Sequence, residues 1–258
     1  MKILAILQAR FSSTRLPGKV LKPILGKPML RHQIERIRRA RRIDKLMVAT
    51  SAHPSDDALQ KLCAEAGIAC HRGSLDDVLD RFYQAARTQG VEYVVRLTGD
   101  CPLADPAVID RVVDACLESG ADYASNVFPP TYPDGLDVEV FRFAALERAW
   151  REGRLPSERE HVTPYIHQHP ELFRQVNVSQ ENDLSALRWT VDNPADFEFV
   201  REVYEALYPH NPAFATADIL DLLARRPELG KINTHLQRNE GYAKSLAEDQ
   251  SFLKSRGT

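Results

Sequence analysis

Residues 3–28 read ILAILQARFSSTRLPGKVLKPILGKP, five consecutive apolar residues running straight into a segment dense in cations and hydroxyls. A short apolar run with polar punctuation on both sides suits a strand covered on both faces, as in a parallel sheet, better than the alternation of a half-exposed one. The strand is Ile3 to Leu7. Arg10, Ser12, Ser13, Thr14, Arg15, Gly18 and Lys19 follow, with Pro17 and Gly18 keeping the backbone out of helix. Backbone amides, the planar fork of Arg and the compact charge of Lys together suit a polyphosphate better than an uncharged ligand. Neither G-x-x-x-x-G-K-[ST] nor G-x-G-x-x-G is present, so the loop is no standard phosphate motif, and its composition alone also fits a solvated basic loop.

Outward from this stretch the chain alternates. An amphipathic helix is expected over Met29 to Arg42, and a second strand over Leu46 to Thr50. Ser55 is the expected N-cap of the next helix, which Gly67 ends. A short strand, Ile68 to His71, delivers Arg72-Gly73-Ser74 into a loop, and a helix runs from Asp76 to Gln89. Tyr93 to Leu97 is a strand ending at Asp100; Asp105 and Pro106 start another helix, and Asp122 to Ser125 opens a further strand. This βα alternation predicts a doubly wound, mostly parallel α/β sheet with right-handed crossovers.

The alternation breaks after Asn126, where a proline-rich loop precedes Leu136 to Phe141, a segment that alternates like an edge or antiparallel strand with Asp137 and Glu139 on one face. Beyond it come helices over Phe143–Arg151 and Glu160–His169, a strand over Phe173–Val178, a return to the sheet over Leu187–Val191 that stops at Asp192, and helices over Ala195–Leu207 and Ala217–Arg225. The reading is one domain over 1–230, with 126–180 as a small antiparallel insertion, followed by a polar tail from 231 to 258.

The 258 residues, 43% hydrophobic and 27% charged, are ordinary for a globular chain, and a net charge of −2 argues against bulk nucleic-acid binding. No apolar run approaches the length of a membrane span or a signal-peptide core, from which a cytoplasmic protein is expected. The cysteines at 63, 70, 101 and 116 form no C-x-x-C pair, and Cys63 and Cys116 fall on apolar helix faces. His161, His167 and His169 have a poor spacing for zinc.

Ligands of an open parallel sheet collect beyond the carboxyl ends of its strands. The Arg10–Lys19 loop, the Arg72–Ser74 loop, Asp100 and Asp192 all belong there. Two strand-end carboxylates facing a cationic loop suit a Mg²⁺-bound nucleotide, because Mg²⁺ takes one or two carboxylates and completes its octahedron with phosphates and water. Asp192, just before Asn193-Pro194, is equally placed to cap the next helix.

QARFSSTRLPGK (8–19), LTGDCPL (97–103) and TVDNPAD (190–196) resemble, in order, the motifs of the cytidylyltransferases that activate sugars for cell-surface polysaccharides, the Kdo and acylneuraminate enzymes among them. PDGLDVEVF (133–141) and EREHVTPY (158–165) resemble the spore-coat polysaccharide branch. The resemblance implies a nucleotide-diphospho-sugar transferase fold and transfer of CMP from CTP to a sugar acid or sugar phosphate. It implies that Gln8, Ala9, Arg10, Ser13, Arg15, Lys19, Thr50, Arg72 and Ser74 bind the nucleotide and that Arg10, Arg15, Lys19 and Asp100 are catalytic. It further implies Mg²⁺ on Asp100 and Asp192, acceptor contacts from Asp137, Glu139 and His161, and a homodimer touching through 126–180. A nucleotide-sugar-dependent glycosyltransferase and a non-catalytic nucleotide-binding module are the alternatives. Neither the acceptor nor a general base is assigned, and the tail around Asn239-Glu240-Gly241-Tyr242 either closes over the acceptor or docks as a helix.

Overall fold

The opening apolar run is β1, Ile3–Gln8, and its alternate residues enter two different cores. Ile3, Ala5 and Leu7 pack into one, Leu4 and Ile6 into the other, all at most 5% exposed. A strand buried on both faces must be apolar at every position, which is why this segment shows no alternation. The computed structural model describes residues 2–238 and 240–256; Asn239, singled out in the tail, lies outside them.

The elements follow as a hairpin, β2 (Pro23–Ile24) and β3 (Lys27–Pro28), then α1 (Met29–Ile37), β4 (Lys45–Ser51), α2 (Asp57–Glu65), β5 (Ala69–Gly73), α3 (Val78–Arg87), β6 (Tyr93–Thr98), α4 (Pro106–Ser119) and β7 (Tyr123–Ser125). After them come β8 (Glu139–Arg142), α5 (Phe143–Glu152), α6 (Pro156–His161), α7 (Pro164–His167), β9 (Gln175–Asn177), α8 (Pro194–Leu207), α9 (Thr216–Arg225) and α10 (Glu240–Arg256). The main sheet has the order β5-β4-β1-β6-β8-β7-β9. Pairings β4–β5, β1–β4, β1–β6 and β7–β9 are parallel, and β8 alone runs against its neighbours β6 and β7. Residues from α1, α2, α4, α8 and α9 fill one core, residues from α3, α5 and α7 the other. The sheet is therefore doubly wound and mostly parallel, and the separate antiparallel pair is β2–β3.

Several expected elements shift. The segment over Leu136–Phe141 is antiparallel as read, but its strand is β8, inside the sheet and not at an edge. The expected strand over Leu187–Val191 is no strand. Trp189 N–H donates to Asp134 O at 2.6 Å and Val191 N–H to Asp100 O at 2.7 Å, two partners on different segments, so no ladder forms, yet Asp192 still arrives beside Asp100. The expected helix over Glu160–His169 is broken into α6 and α7, because Val162 takes φ +73° and Pro164 cannot donate to the preceding turn. The α4 caps hold: Asp105 accepts from Ala107 N–H at 2.9 Å, and Gly120 ends the helix at φ +66°. Cys63 and Cys116 are fully buried in the first core.

Candidate active site

A cavity of about 600 Å³ opens at the carboxyl ends of β1 and β6, and α6 and α10 form its far wall. Gln8, Ala9, Arg10, Ser13, Arg15, Lys19, Asp100, Asp137, His161 and Asp192 all line it. Residues from opposite ends of the chain thus share one space.

The cationic loop is pinned from both sides. Gly18 takes φ +68°, and a Cβ there would lie 2.9 Å from the Phe11 ring, so only glycine lets the loop fold back on Phe11. Phe11 N–H donates to Asp56 Oδ1 at 2.6 Å, and Asp56 Oδ2 accepts from Ser51 N–H at 3.0 Å and from the Ser51 hydroxyl. Asp56 is fully buried, and although burial favours its neutral form, these hydrogen bonds hold its carboxyl below the usual range. The expected Ser55 cap is thereby corrected: a turn over Pro54–Asp56 precedes α2, and the acid beside Ser55 anchors the loop.

Lys19 is the centre of the site. Its Nζ donates to Val191 O at 2.7 Å and to Asp192 Oδ1 at 3.0 Å and lies 3.4 Å from Asp100 Oδ2, with its side chain 11% exposed. Burial works against the ammonium, but the two carboxylates outweigh it and raise its pKa. Burial likewise opposes the Asp100 charge, and Lys19 together with hydrogen bonding lowers its pKa overall. One cation thus already bridges Asp100 and Asp192, an arrangement that fits a divalent ion held by two hard oxygen donors plus substrate phosphates. Among the described residues no cluster of three or more His, Cys, Asp or Glu side chains adds a further donor set.

Asp192 also meets Arg15 Nη2 at 3.0 Å and Arg188 Nη2 at 3.1 Å. Arg188 is a hub that the sequence reading missed. Its Nη1 reaches Asp134 at 2.9 Å and its Nε reaches Asp196 at 2.9 Å, while Asp196 accepts the N–H groups of Asp192 and Asn193. Arg81 was missed as well. It is 1% exposed, lines the cavity and donates to Ser74 O at 2.6 Å; burial, then the nearby Arg10 charge, push it down to about 10. Only its place on an amphipathic helix was visible in the sequence, and Arg on such a face ordinarily points to solvent.

Other expected site residues lie elsewhere. Strand β5 continues through Gly73, so Arg72 is in the sheet and not in a loop. Its guanidinium is committed to Ser51 O, His53 O, Asp57 and Gln60 at 2.7–2.9 Å. Thr50 is fully buried, and Ser74 accepts the Asp77 N–H; neither they nor Arg72 line the cavity. Glu139 also lies outside the lining, its carboxylate taken up by Arg96, Tyr123 and Thr163. His161 does face the cavity, with Nε2 2.9 Å from Ser245 Oγ of α10 and a pKa pushed down to about 4, chiefly by burial and then by the Arg96 charge.

A mostly parallel sheet whose first strand feeds a cationic loop toward two aspartates is the framework of a nucleotidyltransferase. The model of the cytidylyltransferase family matches residues 4–211, and the chain belongs to that family. It is similar to a spore coat polysaccharide biosynthesis protein of Bacillus subtilis, 33% identical over 88% of this chain and 95% of that one. It also resembles a 3-deoxy-manno-octulosonate cytidylyltransferase of Geobacter sulfurreducens, 40% identical over 47% of this chain and 48% of that one. The solved structure of a cytidylyltransferase from Leptospira borgpetersenii superposes with a TM-score of 0.84 at 32% identity, covering 89% of this chain and 96% of that chain.

Proposed function

We propose that this cytidylyltransferase moves CMP from CTP to a sugar acid, releasing pyrophosphate, in the synthesis of a cell-surface polysaccharide or glycoconjugate. The observation that carries the reading is the Lys19 ammonium set between Asp100 and Asp192 at the end of the cationic loop. Arg10, Arg15 and Lys19 lie along the wall where a triphosphate would extend, and fixed cations there stabilise the charge that grows on the departing pyrophosphate. Asp100 and Asp192 would hold Mg²⁺, which when bound neutralises the α-phosphate. Gln8 and Ala9 line the cavity wall at the end of β1, where the backbone can approach the nucleotide, and Ser13 faces the same space.

The acceptor belongs at the other end, between Asp137, His161 and α10. The Bacillus relative's name points to polysaccharide synthesis and the Geobacter relative's to a sugar-acid acceptor. We place the transferase in residues 1–230, the acceptor wall partly in the tail, and a homodimer contact in 126–180, with action in the cytoplasm where CTP is made. The test is pyrophosphate release with each of the common nucleoside triphosphates against a panel of sugar acids and sugar phosphates. Release with CTP and a sugar acid is expected. Equal release with UTP or ATP, or cleavage of a nucleotide sugar without pyrophosphate, would overturn the reading.

A further inference from the structure

We propose that Asp137 is the general base of the transfer, held in position by Arg238 from the C-terminal segment; this rests on the CMP-transfer reading above. Asp137 lines the same cavity as Lys19, Asp100 and Asp192, and its side chain is 32% exposed toward that space. Arg238 Nη2 donates to its Oδ1 at 2.6 Å, and among the described residues Oδ2 accepts no hydrogen bond. One oxygen is therefore fixed, and the other carries no hydrogen bond among the described residues on a side chain that lines the cavity.

Four of the competing acids are held by cations. Asp134 is paired with Arg188 at 2.9 Å, and Glu139 is bound by Arg96, Tyr123 and Thr163 away from the cavity. Glu160 accepts from the Ser245 hydroxyl at 2.7 Å, and His161 Nε2 is engaged by the same hydroxyl. Asp100 and Asp192 are shared by Lys19. Glu160 and Glu248, on α6 and α10, also line the cavity with an oxygen that accepts no hydrogen bond among the described residues, and Asp137 differs from both in having its other oxygen fixed by a guanidinium.

Its surroundings also suit the role. Burial raises the Asp137 pKa to about 7; the Arg238 charge opposes this, while Asp134 and Glu139 add to it, and the neighbouring Cys101 thiol is neutral because burial raises its own pKa well above the ordinary value. A base is most effective when its pKa lies near the working pH. In the step, the acceptor hydroxyl proton passes to Asp137 Oδ2 while the hydroxyl oxygen forms its bond to the α-phosphorus. The bond from that phosphorus to the bridging oxygen breaks, pyrophosphate departs with the electron pair, and Asp137 later gives its proton to water. Arg238 lies beyond the 4–211 family match, so the tail contributes a positioning residue to a carboxylate inside it.

The experiment uses the full chain with CTP, Mg²⁺ and 3-deoxy-manno-octulosonate as probe. For wild type, kcat should fall on the acid side of about pH 7 with unit slope. Asp137→Asn should lower kcat at pH 8 about 100-fold or more, abolish that limb, and change KM for CTP by less than about threefold. Asp137→Glu should restore the limb with a reduced rate, and Arg238→Met should move it to higher pH because the opposing cation is gone. In parallel, carboxyl ¹³C resonances of Asp-labelled protein should show one group titrating near 7 that is missing from Asp137→Asn. A retained kcat or acid limb in Asp137→Asn, or titration of the Asp137 carboxyl near 4, overturns the assignment. Wild type that transfers CMP to no sugar acid overturns the function reading instead, and the ¹³C titration still decides whether Asp137 is poised as a base.

Discussion

Lys19 Nζ sits 3.0 Å from Asp192 Oδ1, so a cation carried by the first loop holds the acid carried by the segment before α8. Removing it would leave two carboxylates facing each other across the cavity. Lys19→Met should therefore lower turnover at least 100-fold, the scale of losing one preorganised charge at a reacting phosphate. It should also gain more thermal stability from added Mg²⁺ than wild type does, and Asp100→Asn should lose most of that gain. Melting curves with and without Mg²⁺ check both.

Arg188 joins three carboxylates, those of Asp134, Asp192 and Asp196, with only 6% of its side chain exposed. Lysine cannot reproduce the fork. Arg188→Lys should destabilise the fold by about 2–4 kcal/mol, since breaking a buried network strands its acids. Urea unfolding measures this, and an unchanged midpoint would mean the network carries little.

Arg72 tests the structure against the expectation from resemblance. Its guanidinium is consumed in holding the end of β5 to the start of α2. Arg72→Ala should cost about 1–2 kcal/mol of stability and leave the KM for CTP within about threefold. A tenfold rise in that KM would return Arg72 to the nucleotide site.

The difference between Arg72 and Lys19 shows what the chain made legible. Wherever an element's own chemistry decides its place, the reading holds: β1 is apolar from Ile3 to Leu7 because both faces are covered, α4 carries its caps in its sequence, and Asp100 follows a buried strand and one glycine. Wherever placement depends on where a strand stops or on partners far along the chain, it does not. β5 runs two residues further than expected and takes Arg72 with it. The 187–192 segment looks like a strand by composition but finds its bonds on Asp134 and Asp100. Asp56 and Arg188 act through partners 45 and 54 residues away, Phe11 and Asp134, which no local pattern announces. The wall formed by α10 depends on the Ser157–Asp249 and His161–Ser245 bonds, 92 and 84 residues apart.

Gly135 takes φ +109°, and a Cβ there would lie 2.5 Å from Thr190 N and 2.6 Å from Trp189 C. Backbone meets backbone, so neither side can yield by a rotamer change. Gly135→Ala should cost roughly 2–4 kcal/mol and displace the segment that presents Asp192, lowering turnover more than Arg72→Ala does. Side-by-side urea titration and turnover of the two variants check the order.

His161 has its pKa pushed down to about 4 by burial, below the ordinary imidazole value, so the folded chain binds its proton less readily than the unfolded one. Its contribution to stability is complete above about pH 6.5 and is lost as pH falls toward 4. Asp56 and Asp196, fully buried and held below the usual carboxylate range by hydrogen bonds that overcome their burial, add a second loss only below about pH 4. Asp137, raised to about 7, gains stability over the same interval and opposes this loss, so the comparison of variants is the test: from pH 6.5 to 4 the urea midpoint should drop more, or rise less, in wild type than in His161→Gln. Equal changes would exclude His161 as the source.

The proposed reaction moves a phosphorus atom from CTP to a sugar acid, so the decisive observation is the fate of that atom. With α-³²P-labelled CTP, Mg²⁺ and 3-deoxy-manno-octulosonate, the label should appear on the sugar acid in step with one pyrophosphate per transfer. Label that stays on free CTP or CMP while wild type is folded and CTP-bound, across the sugar-acid panel, would contradict the transfer.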